Sequence, residues 1–221
     1  MRKDPLVNGQ VYHIISRSIA GYKVFPDKIA FQRVLQAMRF YNCVPISMKF
    51  SKFNLLSYKN QQKYYKNQIN NTCVDFISYV IMSTHIHLVV KQNAENGISF
   101  LVKNLLISYT RYFNTRFKRK GPLWDARFNS ILIESDEQLL HLTRYIHLNP
   151  SSAGLVDKPE DWQWSSYGEY IGEVDEINRI CKYEDLIKVD VKEYKKFVND
   201  RIGYQKEISK IKSLLMDDYS G

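Results

Sequence analysis

Alternating apolar and polar positions predict the strands of this chain. The alternation over residues 10–19 predicts a first strand, and two apolar runs, residues 75–82 and 84–91, predict an antiparallel hairpin with a tight turn between them. Residues 123–133 predict the strand that follows the hairpin, and the apolar side chains within residues 50–56 predict an additional short strand. The chain is therefore expected to build at least one antiparallel sheet.

Apolar residues at helical spacing predict three main helices. They cover residues 26–42, 97–119 and 137–148, and the Asn-Pro pair that follows the third helix is expected to end it. Residues 58–71 are rich in Lys, Asn, Gln and Tyr, which is typical of a polar loop or an exposed helix.

The order of these elements is strand, helix, strand, strand, helix, strand, followed by the last helix. This order predicts an α+β fold, a ferredoxin-like βαββαβ sandwich with an antiparallel sheet and a C-terminal helical extension. We expect a catalytic domain over residues 1–170 and an extension of unknown role over residues 171–221. Residues 183–216 predict one or two amphipathic helices within that extension.

The composition predicts an intracellular protein with enough apolar residues to bury a hydrophobic core. Hydrophobic residues make up 44% and aromatic residues 14% of the sequence. Cys43, Cys73 and Cys181 have no CxxC spacing, which argues against a disulfide framework or a zinc knuckle. The sequence has no apolar run of transmembrane length and no signal-peptide pattern, so we expect a cytoplasmic, nucleoid-associated protein without a membrane partner.

The positive charge is concentrated in the first two thirds of the chain. Residues 1–154 carry 21 Lys and Arg against 8 Asp and Glu, a net +13, whereas residues 155–221 carry a net −4. A basic surface of this size indicates a polyanion partner, most often nucleic acid, although a lysine-rich solvent-exposed surface also fits charge alone.

His85 and His87 are the first candidates for chemistry. They lie two residues apart on a predicted strand, so their side chains share one face while Ile86 and Leu88 point into a core. Two neutral imidazoles at this spacing form half of a metal site, and a third protein ligand is expected.

The helix after the last strand offers candidates for the third ligand. His141, Tyr145 and Asn149 follow at intervals of four residues and therefore lie on one face of the helix. His147 is a further candidate. On the residues alone, a packed tyrosine is the favoured interpretation of Tyr145, one of sixteen tyrosines in the chain.

A basic and aromatic stretch follows the hairpin and suits nucleic acid. Basic groups bind phosphates, and aromatic faces stack on unpaired bases. The residues that we expect to bind DNA are Lys103, Arg111, Arg116, Lys118, Arg119, Lys120, Trp124 and Arg127.

Three segments in this order resemble a known family. They are the His85-Ile86-His87 pair, the strand entry from Gly121 to Phe128 (Gly-Pro-Leu-Trp-Asp-Ala-Arg-Phe), and the motif from Tyr145 to Pro150 (Tyr-Ile-His-Leu-Asn-Pro). Together they resemble the HUH single-tyrosine transposases, in particular the REP-associated tyrosine transposase branch, over residues 10–170.

The resemblance implies a single-stranded DNA endonuclease and strand transferase. Tyr145 would be the catalytic nucleophile that forms a 5′-phosphotyrosine intermediate. His85, His87 and Asn149, with His147 as the alternative to Asn149, would hold one Mg²⁺ or Mn²⁺ ion. The substrate would be single-stranded or hairpin DNA, and the resemblance allows a homodimer as well as a monomer.

Two other functional classes compete with this interpretation. A ferredoxin-like nucleic-acid-binding protein that does not cut DNA would use the same basic stretch. A metal-dependent hydrolase would use the histidine pair with water as the nucleophile and form no covalent intermediate. Within the transposase interpretation, Tyr109 and Tyr112 are the next candidates should Tyr145 not be the nucleophile.

Overall fold

A four-stranded antiparallel sheet organises the chain. The computed structural model describes residues 5–68, 70–125 and 127–204. The strands are β1 (Val11–Arg17), β2 (Val74–Ile81), β3 (His85–Gln92) and β4 (Asn129–Leu132), in the order β2-β3-β1-β4. β1 pairs antiparallel with both β3 and β4. This strand order confirms the predicted ferredoxin-like α+β fold.

Seven α-helices accompany the sheet in the described residues. They are α1 (Lys28–Asn42), α2 (Phe50–Phe53), α3 (Tyr58–Asn67), α4 (Gly97–Arg116), α5 (Asp136–Ser152), α6 (Tyr167–Tyr170) and α7 (Val191–Asn199). None of these helices combines the length and the apolar character that a membrane span needs. The part of the predicted C-terminal helices that falls on residues 205–216 lies outside the described residues.

Two strand predictions differ from the structure. The short strand expected within residues 50–56 is wrong, because Phe50 and Phe53 lie on one turn of α2 and both pack against the ring of Phe40. The strand expected over residues 123–133 is shorter. Trp124 makes only an isolated bridge to Ser18, and the continuous pairing begins at Asn129.

The helix that follows β4 is longer than predicted. α5 continues through Pro150 to Ser152 instead of ending at the Asn-Pro pair. Pro150 has no N–H to donate to the carbonyl of Ile146, and the helix tolerates the loss of this one bond. The carbonyl of Pro150 still accepts from Leu155 N at 3.0 Å, and Ala153 N bonds to the carbonyl of Asn149.

The described chain forms two compact units. The first contains residues 5–77 and 81–133, and the second contains residues 78–80 and 134–204. The domain boundary predicted after residue 170 stays a prediction.

In the first unit α1 packs against α4. Asp27 caps α1 by accepting from Ala30 N at 3.0 Å, and its two carboxylate oxygens also accept from Arg116 at the end of α4, at 3.0 and 2.6 Å. A buried aromatic cluster of Phe25 and Tyr109 fills the space between the helices. These contacts hold the basic helix α4 in a fixed position.

The second unit packs α5 against α7 and against a 3₁₀ turn at Pro159–Asp161. Ser135 caps α5 by accepting from Gln138 N at 3.1 Å, and Gln138 Oε1 accepts from Glu134 N at 2.8 Å. The pair resembles a capping box, except that the Gln138 side chain bonds to the residue before the N-cap, and it fixes the start of the helix.

A short segment before α6 pairs with the residues of β2 that belong to this unit. Ser165 bridges Val80, and Ser166 N donates to the carbonyl of Tyr79 at 2.9 Å. In return, Tyr79 N donates to Ser166 Oγ at 2.9 Å.

Candidate active site and nucleic-acid interface

The predicted histidine pair lies on β3, next to the central strand β1. In the register of β1 and β3, His85 faces Arg17 and His87 faces Ile15. The two imidazole rings are nearly perpendicular, with centroids 5.0 Å apart. Ile86 and Leu88, which alternate with them, are buried. The prediction that the two histidines share one face of a strand is confirmed.

Each of the two rings is hydrogen-bonded through Nδ1. His85 Nδ1 lies 2.8 Å from Thr84 Oγ1, and His87 Nδ1 lies 2.9 Å from Nε2 of His13 on β1. Histidines that bind metals in proteins usually have the second ring nitrogen fixed in this way. With the proton on Nδ1, Nε2 of each ring carries the lone pair that a metal needs.

Burial keeps these imidazoles neutral at pH 7. Desolvation, with a smaller contribution from Arg17, lowers the pKa of His85 to about 4. Desolvation also lowers the pKa of His87 well below its usual value and that of His13 to about 4. A neutral imidazole is the form that binds a metal ion.

The donor set fits a divalent ion only if an oxygen ligand joins the histidines. Among the described residues, no group of three or more His, Cys, Asp or Glu side chains is placed to hold a metal. The third ligand that we predict, Asn149, is an amide and so is not of these types. Its Nδ2 is buried and has no hydrogen-bond partner in the described part of the chain, so the amide is not committed to an internal contact through that atom. Two imidazoles and one amide oxygen are a donor set that can bind a divalent ion, and the Mg²⁺ or Mn²⁺ site stays a prediction.

Tyr145 lies on the exposed side of α5. Its side chain is 41% exposed, whereas Ile146, His147 and Leu148, which follow it, are buried. The other two tyrosines that we consider differ in setting. Tyr109 is 1% exposed and donates to the carbonyl of Val24, and Tyr112 accepts from Arg116 at 3.1 Å. Of these three tyrosines, Tyr145 is the most exposed.

His147 is fully buried and committed to hydrogen bonds inside the second unit. Its Nδ1 lies 2.7 Å from Tyr194 Oη, and its Nε2 lies 2.7 Å from Ser166 Oγ. Burial lowers its pKa to about 3. A metal would have to displace one of these two bonds to bind His147, and Asn149 as the third ligand stays a prediction.

The candidate site residues belong to both units. His13, His85 and His87 lie in the first unit, and Tyr145, His147 and Asn149 lie in the second. His13 is a residue that the sequence analysis missed. His13 and Ile15 are two residues apart on one strand, so the sequence alone predicts that they share a face. The contact of His13 with His87 depends on the register of β1 against β3, which the sequence does not specify.

A pocket of about 410 Å³ opens beside His85 in the first unit. Arg17, Thr84 and Asp125 line it together with His85 and the 3₁₀ turn at Ile19–Gly21. The pocket gives a small charged group access to the histidine.

The predicted DNA-binding residues divide into exposed and internally bonded groups. Arg116 is paired with Asp27, Arg119 donates to Asn114 Oδ1 and to the carbonyl of Pro122, and Trp124 Nε1 donates to Thr110 Oγ1 at 3.0 Å. The structure thus gives Trp124 a packing role that the sequence analysis did not predict, and its stacking role stays a prediction. Lys103, Arg111, Lys118, Lys120 and Arg127 are exposed, and Arg116 is exposed as well although it is paired with Asp27.

A groove of about 770 Å³ runs along α1 and α4 in the first unit. Its walls include Arg33, whose guanidinium lies 4.2 Å from the centroid of the Phe50 ring, and Arg111 and Arg116 of α4. Cations beside aromatic rings are typical of surfaces that bind nucleic-acid strands.

The fold is that of the tyrosine transposases. A solved structure of a REP-associated tyrosine transposase bound to a REP hairpin superimposes with a TM-score of 0.53 at 13% sequence identity. The match covers 83% of this chain and 92% of that protein.

Sequence comparison gives the family. The family model described as IS200-like transposase matches residues 7–149, which span the sheet, Tyr145 and Asn149. The chain therefore belongs to the IS200-like transposase family. A protein from Haemophilus influenzae that is named as a REP-associated tyrosine transposase is 28% identical over 129 residues, which cover 53% of this chain and 73% of that protein.

Proposed function

We propose that this protein is a single-stranded DNA endonuclease and strand transferase of the REP-associated type, with Tyr145 as its nucleophile. The observation that carries the proposal is the position of Tyr145. Tyr145 is 41% exposed on α5, the three residues that follow it are buried, and it lies within the region that matches the IS200-like transposase family.

Tyr145 would cleave DNA by transesterification. Its phenolic oxygen attacks a backbone phosphorus, a new P–O bond to tyrosine forms, and the P–O bond to the 3′-oxygen breaks. The phenol loses its proton, and the departing 3′-oxygen takes one up. The product is a 5′-phosphotyrosine and a free 3′-hydroxyl, and attack by another 3′-hydroxyl reverses the step and joins strands without ATP.

Activation of the nucleophile is the main energetic demand of this step. A tyrosine with a reference pKa near 10 is phenolate in about one molecule in a thousand at pH 7, a cost of about 4 kcal/mol. A divalent ion supplies charge neutralisation and orientation at the scissile phosphate. His85, His87 and Asn149 would hold Mg²⁺ or Mn²⁺, the histidines through Nε2 and the asparagine through its amide oxygen.

Hairpin DNA is the substrate that we propose. The solved structure with the same fold contains a REP hairpin, and the relative from Haemophilus influenzae carries the REP-associated name. The exposed cations of α4 and of the following loop would neutralise backbone phosphates, and the groove along α1 and α4 adds aromatic walls beside them.

A covalent-adduct assay tests the nucleophile. Fluorescent hairpin oligonucleotides from the DNA that flanks the gene are incubated with the protein and Mn²⁺, and the products are separated on a denaturing protein gel. We expect a shifted, labelled protein band with the wild type and none with Tyr145→Phe, because phenylalanine has no oxygen to attack phosphorus. Tyr204→Phe, which alters another exposed tyrosine of the second unit, is the matched control and should retain the band.

Three outcomes would contradict the proposal. An adduct that persists in Tyr145→Phe assigns the nucleophile to another residue. Cleavage without any adduct in the wild type indicates water as the nucleophile, as in a metal-dependent hydrolase. Hairpin binding with neither cleavage nor adduct indicates a binding module.

A further inference from the structure

His13 is a buried histidine that the proposed chemistry does not use. It lies on β1 opposite Val89, one diagonal step from His87 on the same face of the sheet. The rings of His13 and His87 are stacked at an angle of 19°, with centroids 5.1 Å apart, and His13 Nε2 lies 2.9 Å from His87 Nδ1.

A hydrogen bond between two neutral imidazoles links their tautomers. One nitrogen must carry the proton and the other must offer a lone pair. When His87 Nδ1 is the donor, its Nε2 carries a lone pair. When His13 Nε2 is the donor, the proton of neutral His87 sits on Nε2, and that nitrogen then has no lone pair for a metal.

We propose that His13 is the positioning residue of the metal site, which accepts the Nδ1 proton of His87 and so holds Nε2 of His87 in the ligand form. This inference rests on the proposed function, because it assumes that His87 binds the ion. His13 acts through His87 rather than as a third ligand, since its Nε2 is directed at the neighbouring ring. The described residues also contain no metal-binding group of three His, Cys, Asp or Glu.

Thr84, the hydrogen-bond partner of His85, differs from His13 in how far it can determine a tautomer. Thr84 Oγ1 lies 2.8 Å from His85 Nδ1, and a hydroxyl rotates to donate or to accept. Thr84 therefore imposes no tautomer on His85. His13, whose ring is buried and stacked, cannot adapt in this way without changing its own tautomer.

Nitrogen NMR of the metal-free protein tests the tautomers directly. With ¹⁵N-labelled histidine, two-bond couplings identify which ring nitrogen carries the proton. We expect protonated Nδ1 in His87 and an unprotonated Nε2 in His13. Protonated Nε2 in His13, with protonated Nε2 in His87, would overturn the proposal without any need for a variant.

Mn²⁺ titration followed by electron paramagnetic resonance tests the consequence for binding. We expect a ten- to hundredfold weaker affinity in His13→Phe, which keeps a buried ring without an acceptor, and partial recovery in His13→Gln, whose amide oxygen can accept the His87 proton. Equal affinity in wild type and His13→Phe would overturn the positioning role.

His85→Ala separates this inference from the proposed function. If His85→Ala weakens Mn²⁺ binding and His13→Phe does not, the metal site stands and the role of His13 is wrong. If His85→Ala leaves Mn²⁺ binding unchanged, the histidine site of the proposed function is itself wrong.

Discussion

At the start of α4, a single glycine permits a close backbone approach. A Cβ atom added to Gly97 would lie 2.3 Å from the carbonyl oxygen of Cys73, which leaves no room for a methyl group. The side chain of Gln92, the last residue of β3, accepts from Ile98 N at 3.2 Å through Oε1. This hydrogen bond connects the first turn of α4 to the end of β3. Because β3 carries the histidine pair, the packing at this glycine also supports the candidate site.

Gly97→Ala should lower the free energy of unfolding by about 1–3 kcal/mol, because the backbone of Cys73 must move to admit the methyl group. Urea unfolding measured by circular dichroism gives the value. Gly203→Ala is the control, since nothing lies within 4 Å of an added Cβ there. Equal stability of Gly97→Ala and wild type would contradict this prediction, because it would show that the backbone of Cys73 moves away from the methyl group at no cost.

Single residues also mark the limit of what the sequence predicts about the site. The shared face of His85 and His87 follows from the alternation of one strand, which is local information. The contact between His13 and His87 depends on the register of β1 against β3, and their residues are 74 positions apart in the chain. The pattern of residues within one strand therefore does not predict which residues of a distant strand it will contact.

At the scale of elements, α5 exposes Tyr145 on one side and is anchored on the other by His147. The anchor consists of the two short hydrogen bonds to Tyr194 of α7 and to Ser166. The rotation of α5 about its axis is therefore fixed by residues that follow it in the chain, and the direction of Tyr145 is fixed with it.

Tyr194→Phe tests this anchor while preserving the aromatic ring. It leaves Nδ1 of a buried histidine without the phenol hydroxyl, so we expect the free energy of unfolding to fall by about 1–3 kcal/mol. Chemical denaturation of this variant and of Tyr204→Phe, whose side chain is exposed, provides the comparison. A loss that is no greater than in Tyr204→Phe would argue against the anchor.

Elements were predicted best where the apolar pattern was long. The strands β1, β2 and β3 and the helices α1, α4 and α5 were predicted from their periodicity. The short element at Phe50–Phe53 was assigned to a strand, because four residues contain too little of either period to distinguish the two. The end of α5 was misplaced because the Asn-Pro pair was taken as a helix stop, whereas the helix tolerates the missing N–H of Pro150 and continues to Ser152.

At the scale of the whole molecule, the basic charge of residues 1–154 is the property that bears on DNA binding. Each cation that neutralises a phosphate releases counterions, so binding weakens as salt rises. Lys103 and Arg111 are exposed members of the predicted DNA-binding set, and both lie on α4.

Lys103→Gln combined with Arg111→Gln should weaken binding to hairpin DNA. We expect the slope of log affinity against log salt concentration to become shallower by about 2, one for each lost phosphate contact. Fluorescence anisotropy at several salt concentrations measures this slope. Lys192→Gln combined with Lys196→Gln on α7 removes the same charge from the acidic part of the chain and should leave the slope unchanged. Equal slopes in the two double variants would exclude α4 from the DNA interface.

The short pairing between β2 and the segment before α6 covers part of an edge strand. β2 is the first strand in the sheet order, and an edge strand with open amide and carbonyl groups is a template for other chains. Ser165 and Ser166 occupy backbone groups of Tyr79 and Val80 on this strand. This segment, which lies after the part matched by the transposase family, therefore leaves fewer open backbone groups on β2 for another chain to pair with.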